Sequence, residues 1–269
     1  MRLSVSLLAL AFGSLVAAAP NTKPRTCGSK PSMEFLAKSA EFAAKEASGE
    51  LLNSLATIEV ETYFHVVASG RTPSQGYLSD AMLANQLRVM NSDYGPHGIQ
   101  FNLVRTTRTV NANWARDGDE LGMKRALRQG GYNALNVYFL GDLGSLLGYC
   151  YFPTNASPGS TAFIRDGCVV VGQSVPGGNI SNYNLGKTAT HEVGHWFGGC
   201  FGSGDGVSDT PPQRSSTQGC PSSRDSCPGG GVDPIHNYMD YSYDVCMNQF
   251  TSGQRTRIYN MWNQYRARG

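Results

Sequence analysis

His191-Glu192-Val193-Gly194-His195-Trp196-Phe197-Gly198 decides the reading of this chain. The stretch spells H-E-x-x-H-x-x-G. On a helix, residues four apart stand on one face about a turn apart, so the two imidazoles can reach one metal ion. Glu192 lies beside that face, where a carboxylate can act as general base on a metal-bound water. Gly198 and Gly199 then supply the left-handed conformation that closes a helix C-terminus. The small residues Thr188-Ala189-Thr190 ahead of the first histidine suit a helix buried in a protein interior.

Working outward, His236-Asn237-Tyr238-Met239-Asp240-Tyr241 reads as a tight turn carrying a methionine, at the distance after the helix where such a turn underlies a metal. Seven cysteines occur. Six of them, Cys150, Cys168, Cys200, Cys220, Cys227 and Cys246, lie in the C-terminal half, and sequence alone leaves about 15 ways to pair them. The seventh, Cys27, follows an N-terminal segment with the marks of a secretory signal. Arg2 is its positive end, Leu3 to Val16 an apolar run too short for a stable membrane anchor, and Val16-Ala17-Ala18 a cleavage site after Ala18. A secreted chain makes disulfides expected, and it makes Asn155 and Asn179 glycosylation acceptors in their Asn-x-Ser contexts.

The 269 residues carry a formal net charge of +2, which indicates no polyanionic partner. Arg105 with Arg108, and Lys124 with Arg125 and Arg128, read as solvated faces rather than nucleic-acid contacts. No further apolar stretch of about 20 residues follows the signal, so no membrane span is expected.

Pattern places the elements. Pro31 to Glu34 opens a helix with Phe35, Leu36, Ala40, Phe42 and Ala43 as its apolar face. Ile58 to Ala68 alternates as a strand. Ser79 caps a helix to Tyr94 that packs through Met82, Leu83, Leu87 and Met90. Gln100 to Thr109 is a second strand, Asp119 to Gly130 a helix, Ala134 to Leu140 and Cys168 to Val171 buried strands, and Asn248 to Tyr265 a closing helix with Ile258, Met261 and Trp262 inward. Between them, residues 202–232 are rich in Gly, Ser, Pro and Asp. So long a loop needs disulfides or ions to stay ordered, and Asp205 and Asp209 are oxygen ligands of the kind calcium takes. Strands alternating with helices before a metal-site helix predict an α+β fold with an α/β-like N-terminal part.

Several motifs in order, Arg25-Thr26-Cys27-Gly28, Val175 to Gly178, His191 to Gly198, Gly204 to Val207, Asp209-Thr210-Pro211 and Asp233 to Ser242, closely resemble the secreted fungal branch of the pappalysin family of metzincin metalloproteases. The resemblance implies a metzincin-type catalytic domain with an active-site helix, a Met-turn and a disulfide-bonded, loop-rich C-terminal subdomain. It implies a signal peptide at 1–18, a propeptide-like segment at 19–55, and a catalytic domain at 56–269 divided into subdomains 56–198 and 199–269. His191 and His195 become zinc ligands, Glu192 the general base on the zinc-bound water, Met239 the Met-turn residue and Tyr241 a tyrosine near the metal. Pairings Cys200–Cys227, Cys220–Cys246 and Cys150–Cys168 follow from it, leaving Cys27 as a latency thiol against the zinc.

One position departs from the family. Where the third zinc-ligand histidine is expected stands Phe201, as though about six residues after Gly198 were missing. The chain therefore reads either as an intact secreted zinc endopeptidase whose recorded coding sequence lost a short segment at a splice boundary, or as a secreted homologue that keeps the fold and binds zinc poorly. The expectation is a monomeric, extracellular enzyme that hydrolyses peptide bonds in proteins, with zinc, and calcium as a further candidate, as its ions.

Overall fold

The computed structural model describes residues 24–49, 56–199 and 206–268. The signal peptide at 1–18, Cys200, Phe201 and Asp205 lie outside the described residues, and so does the Cys200 half of the expected Cys200–Cys227 bond.

Ile58–Ala68 (β1), Ile99–Val110 (β2), Leu135–Leu140 (β3), Gly148–Cys150 (β4) and Cys168–Val171 (β5) form one sheet in the order β2-β1-β3-β5-β4. The first four run parallel, and β4 closes the edge antiparallel to β5. The two inner strands β3 and β5 are buried at every residue. Their apolar runs, interrupted only by buried Asn136 in β3, follow from cover on both faces, the usual condition of parallel strands. Cys150 pairs in register with Cys168 and is disulfide-bonded to it, so the edge strand is fixed covalently to the interior.

One face of the sheet carries Asp80–Tyr94 (α2) and Lys187–Phe197 (α5). Leu83, Met90 and Tyr94 pack there with Val193, Trp196 and Phe197 in the main core. Ser79 caps α2 by accepting from the Met82 amide. Ser252–Tyr265 (α6) packs on α5 and is capped reciprocally by Thr251 and Gln254. This capping box is why the closing helix begins at Ser252 rather than at the expected Asn248. Beyond α6, Arg266 lies 3.7 Å above the Trp196 ring and pairs with buried Asp166 at 2.9 Å, while the Trp196 indole donates to the same carboxylate at 3.1 Å.

Glu120–Leu127 (α3) and Thr161–Arg165 (α4) lie together beyond β3. Here one expectation fails. Lys124 is fully buried and Arg128 nearly so, whereas Arg105 and Arg125 are exposed. The Lys124 ammonium pairs with Glu120 at 2.9 Å, donates to the Arg165 carbonyl at 2.6 Å and lies 4.6 Å from the Tyr151 ring centre. Periodicity cannot distinguish such a cation from a solvated one, because the Arg165 carbonyl and the Tyr151 ring that enclose it with Glu120 come from elsewhere in the chain.

Met33–Ser48 (α1) lies across the far side of α6. Its inward face is Phe35, Ser39 and Phe42; Ala40, expected inward, is exposed. Ser39 is buried because its hydroxyl accepts from Arg257 at 2.6 Å. Phe35 and Phe42 pack with Phe152 and Met261 in a small separate cluster.

Candidate active site

Helix α5 carries His191, Glu192 and His195 into the interior, all at most 5 % exposed. Gly186 and Gly198 bound the helix with positive φ of 88° and 74°, conformations that favour glycine. The His191 Nδ1–H donates to the Tyr238 carbonyl at 2.9 Å, which leaves Nε2 as the ring nitrogen available to a metal. His191 Nε2 and His195 Nε2 lie 3.2 Å apart. Two nitrogens about 2.0–2.1 Å from one tetrahedral ion would be about 3.3 Å apart, so the pair fits a zinc ion. The Cys27 Sγ completes a group in which all ligand atoms lie within 4.8 Å of one another.

The turn after Asp233 supports this helix from below. Met239 packs against Gly194, one residue before the second histidine, where any Cβ would collide with the methionine sulfur. Tyr241 lies edge-on to His191 with ring centres 5.3 Å apart. The turn is held by the Met239 amide donating to Asn237 Oδ1 at 2.9 Å, and by paired amide hydrogen bonds between Asn237 and Gln254 of α6 at 2.7 and 3.1 Å. Buried Asp93, at the end of α2, accepts from Lys187 at 2.6 Å, Thr190 at 2.7 Å and the Tyr238 hydroxyl at 2.9 Å. Asn237, Gln254 and Asp93 carry no motif of their own. The only sequence signal for Asp93 is a carboxylate set among core residues.

The edge strand β4 forms the other wall. Gly148 faces Glu192, and a Cβ there would come within 2.7 Å of Glu192 Cγ. Phe152, four residues on, packs on His195 with ring centres 5.2 Å apart. Against the outer edge of β4 lies the segment around Cys27. The Leu147 amide donates to the Thr26 carbonyl and the Gly28 amide to the Gly148 carbonyl, each at 2.9 Å. The Cys27 thiol and the Ser29 hydroxyl both donate to Glu192 Oε2, at 3.3 and 3.1 Å. Arg25, 2 % exposed, is inserted beside the site, where it pairs with buried Asp244 at 2.5 Å and lies over the Tyr183 ring.

Burial dominates the electrostatics. It pushes the Glu192 carboxyl well above its ordinary value, with Cys27 adding to the rise and His195 opposing it. Burial and the neighbouring His195 hold His191 well below the usual imidazole range. Burial likewise raises the Cys27 thiol. A carboxyl raised by its surroundings beside an imidazole held neutral by burial is the environment of a proton-transfer group next to a metal-binding pair.

Other expected positions fall elsewhere. Cys220 and Cys246 are bonded to each other, and Asn155 and Asn179 are exposed. Asp209, read as a calcium ligand, accepts instead from Thr251, Ser252 and the Gly253 amide at the start of α6. His236 Nδ1 donates to the Cys246 carbonyl at 2.7 Å.

Two imidazoles one helical turn apart, a buried carboxyl next to them and a methionine turn beneath define a metal-dependent hydrolase. Residues 135–263 match the peptidase family described as Pregnancy-associated plasma protein-A. The chain is 67% identical over 274 residues to extracellular metalloprotease 1 of Coccidioides posadasii, covering 99% of both chains. That alignment is longer than the 269-residue chain itself, so the relative contains residues this chain lacks. An extracellular metalloprotease of Colletotrichum graminicola is 59% identical, with 88% and 89% of the two chains covered. Among solved structures, a Tannerella forsythia promirolysin mutant is 26% identical with a TM-score of 0.69 over 89% of this chain and 94% of that one. Mature mirolysin in complex with a cleaved peptide is 29% identical, with a TM-score of 0.61 over 78% of this chain and 93% of that one. The chain belongs to this pappalysin family and is a metalloendopeptidase.

Proposed function

We propose that His191 and His195 hold a zinc ion, that Glu192 is the general base, and that the protein is a secreted endopeptidase made as a latent precursor. The observation that carries this reading is the convergence of both imidazole Nε2 atoms, the Glu192 carboxyl and the Cys27 thiol at one buried point. A zinc ion there supplies Lewis acidity to the scissile carbonyl and to water. Glu192 takes a proton from the attacking water as the carbon–oxygen bond forms. It delivers that proton to the amine nitrogen as the carbon–nitrogen bond breaks. Met239 fixes the floor by filling the space beside Gly194, and Tyr241 stands near enough to His191 to donate to a developing oxyanion.

In this reading, the segment at 19–55 is the propeptide and 56–269 the catalytic domain. The segment lies along β4 and in front of Glu192, the place an extended substrate would need. The promirolysin match covers 89% of this chain and the mature mirolysin match 78%, a difference in keeping with a pro-segment at the N-terminus. A mature mirolysin structure holds a cleaved peptide, and the substrates proposed here are likewise peptide bonds of extracellular proteins. Once Arg25 leaves, Asp244 faces the cleft as a buried carboxylate, so a basic substrate side chain suits that pocket. Secretion, glycosylation at exposed Asn155 and Asn179, and action as a monomer without nucleic acid or membrane complete the reading. A calcium ion at Asp205 and Asp209 gains no support from Asp209, whose oxygens are occupied by the α6 N-terminus.

The test is proteolysis of casein by the secreted, processed protein, with and without a zinc chelator. Cleavage that the chelator stops and Glu192→Ala removes is the expected result. Cleavage indifferent to both would end the proposal.

A further inference from the structure

The wall opposite α5 is a very short strand. β4 is bonded to β5 along its inner edge, and its Cys150 end is fixed to Cys168. The outer edge, with Leu147 just before it, presents the Leu147 amide, the Gly148 carbonyl and the Cys150 amide in a row. The N-terminal segment takes all three, through the Thr26 carbonyl and the Gly28 amide at 2.9 Å each and the Ser29 hydroxyl at 2.8 Å. An extended peptide can use the same row only if β4 keeps its place. Gly148, the residue facing Glu192, has no side chain with which to anchor the strand.

Successive side chains of a strand point to opposite faces, so Tyr149 leaves the sheet on the side away from Glu192. There it packs with Met123, Tyr138 and Val169, in a core cluster separate from that of α5. Its hydroxyl reaches both carboxylate oxygens of Asp117, at 3.1 and 2.9 Å. Two residues on, the Tyr151 hydroxyl donates to Glu120 at 2.9 Å. The buried Lys124 ammonium lies 5.5 Å from the Tyr149 ring centre and 4.6 Å from that of Tyr151. Asp117 holds a φ of 61°, a backbone that glycine adopts at least cost, and the aspartate supplies a carboxylate there instead. The turn that carries it is itself fixed. The Asp117 amide donates to the Trp114 carbonyl at 2.9 Å, and the Asp142 amide, just after β3, to the Ala115 carbonyl at 3.0 Å.

We propose that Asp117 and Tyr149 are positioning residues of the cleft. The hydrogen bond between them, on the far face of the sheet, holds the outer edge of β4 where a peptide substrate must meet it. The proposal rests on the metallopeptidase reading above. A hydrogen bond to a charged group is worth about 10- to 100-fold in an equilibrium, so its loss should let β4 drift by a measurable amount.

The experiment compares local exchange in the full chain with kinetics of the processed enzyme. Tyr149→Phe should speed hydrogen exchange at residues 147–150 by about tenfold, while the amides of β1 and β3 and the urea midpoint stay native. It should raise KM for an eight-residue peptide by about tenfold and leave kcat within about twofold, because a looser wall still leaves Glu192 its room. Asp117→Ala should match Tyr149→Phe, and the two together should cost no more than either alone. Asp117→Asn keeps an acceptor and should bring KM back to within about threefold of native. Native exchange at residues 147–150, a native KM, or losses spread evenly over the core in Tyr149→Phe would overturn the proposal and leave the metallopeptidase reading intact. A processed native chain that cleaves no peptide would overturn both.

Discussion

Gly148→Ala is a small change aimed at the carboxyl of Glu192, the proposed general base. The new Cβ would lie 2.7 Å from Glu192 Cγ and 2.9 Å from the Val169 carbonyl oxygen. Ordinary contact begins at 3.4 Å. Glu192 must therefore retreat by about 0.7 Å, or β4 must bow outward against a backbone oxygen and the Cys150–Cys168 bond. Misplacement of a catalytic group by about 1 Å costs on the order of 10²-fold in rate, about 2.7 kcal/mol in the barrier. The expected outcome is a fall of roughly thirty- to a hundredfold in kcat on a fluorogenic peptide, with metal content unchanged. A kcat within about threefold of native would refute the idea that β4 sets the position of Glu192.

Other consequences are open to measurement. Burial lowers the His65 pKa from 6.5 to about 4. The unfolded chain thus binds the proton first as pH falls, and stability is lost from about pH 6.5 downward until the loss is complete below about 4. Urea unfolding between pH 7.5 and 5 should cost the native chain about 2 kcal/mol more than His65→Gln, and equal losses would dismiss this residue as the cause. Lys124→Met leaves Glu120 without its buried cation and should lower unfolding stability by about 3–5 kcal/mol, whereas a change under 1 would mean the pair is dispensable. Glu46→Gln weakens the clamp on buried Arg257, so the proposed precursor should activate on its own at least about tenfold faster, measured as the lag before peptide cleavage. An unchanged lag would show that α1 adds nothing to latency.

The strands and helices of the sheet were legible because periodicity reports burial directly. Val137 and Val170 read as core, and they are core. Helix boundaries shifted where capping chemistry intervened, as at Thr251 with Gln254. What escaped the sequence were polar groups satisfied at long range. Lys124 looked solvated, yet its partners include a carbonyl 41 residues away. Ser39 took the inward place expected of Ala40 because Arg257, 218 residues on, donates to it. Asp209 looked like an ion ligand and instead caps a helix 44 residues later.

The sequence by itself determined the helix of the proposed metal ligands, because spacing of four along a helix places His191 and His195 on one face whatever surrounds them. It also named the methionine turn and the odd cysteine. Only the tertiary structure decided what those residues meet: Gly148 leaving room for Glu192, Tyr238 selecting the His191 tautomer, and Arg25 and Glu46 fixing Cys27 over the site. A local motif encodes directions along one helix, while the distances between separate segments follow from how the sheet and helices pack.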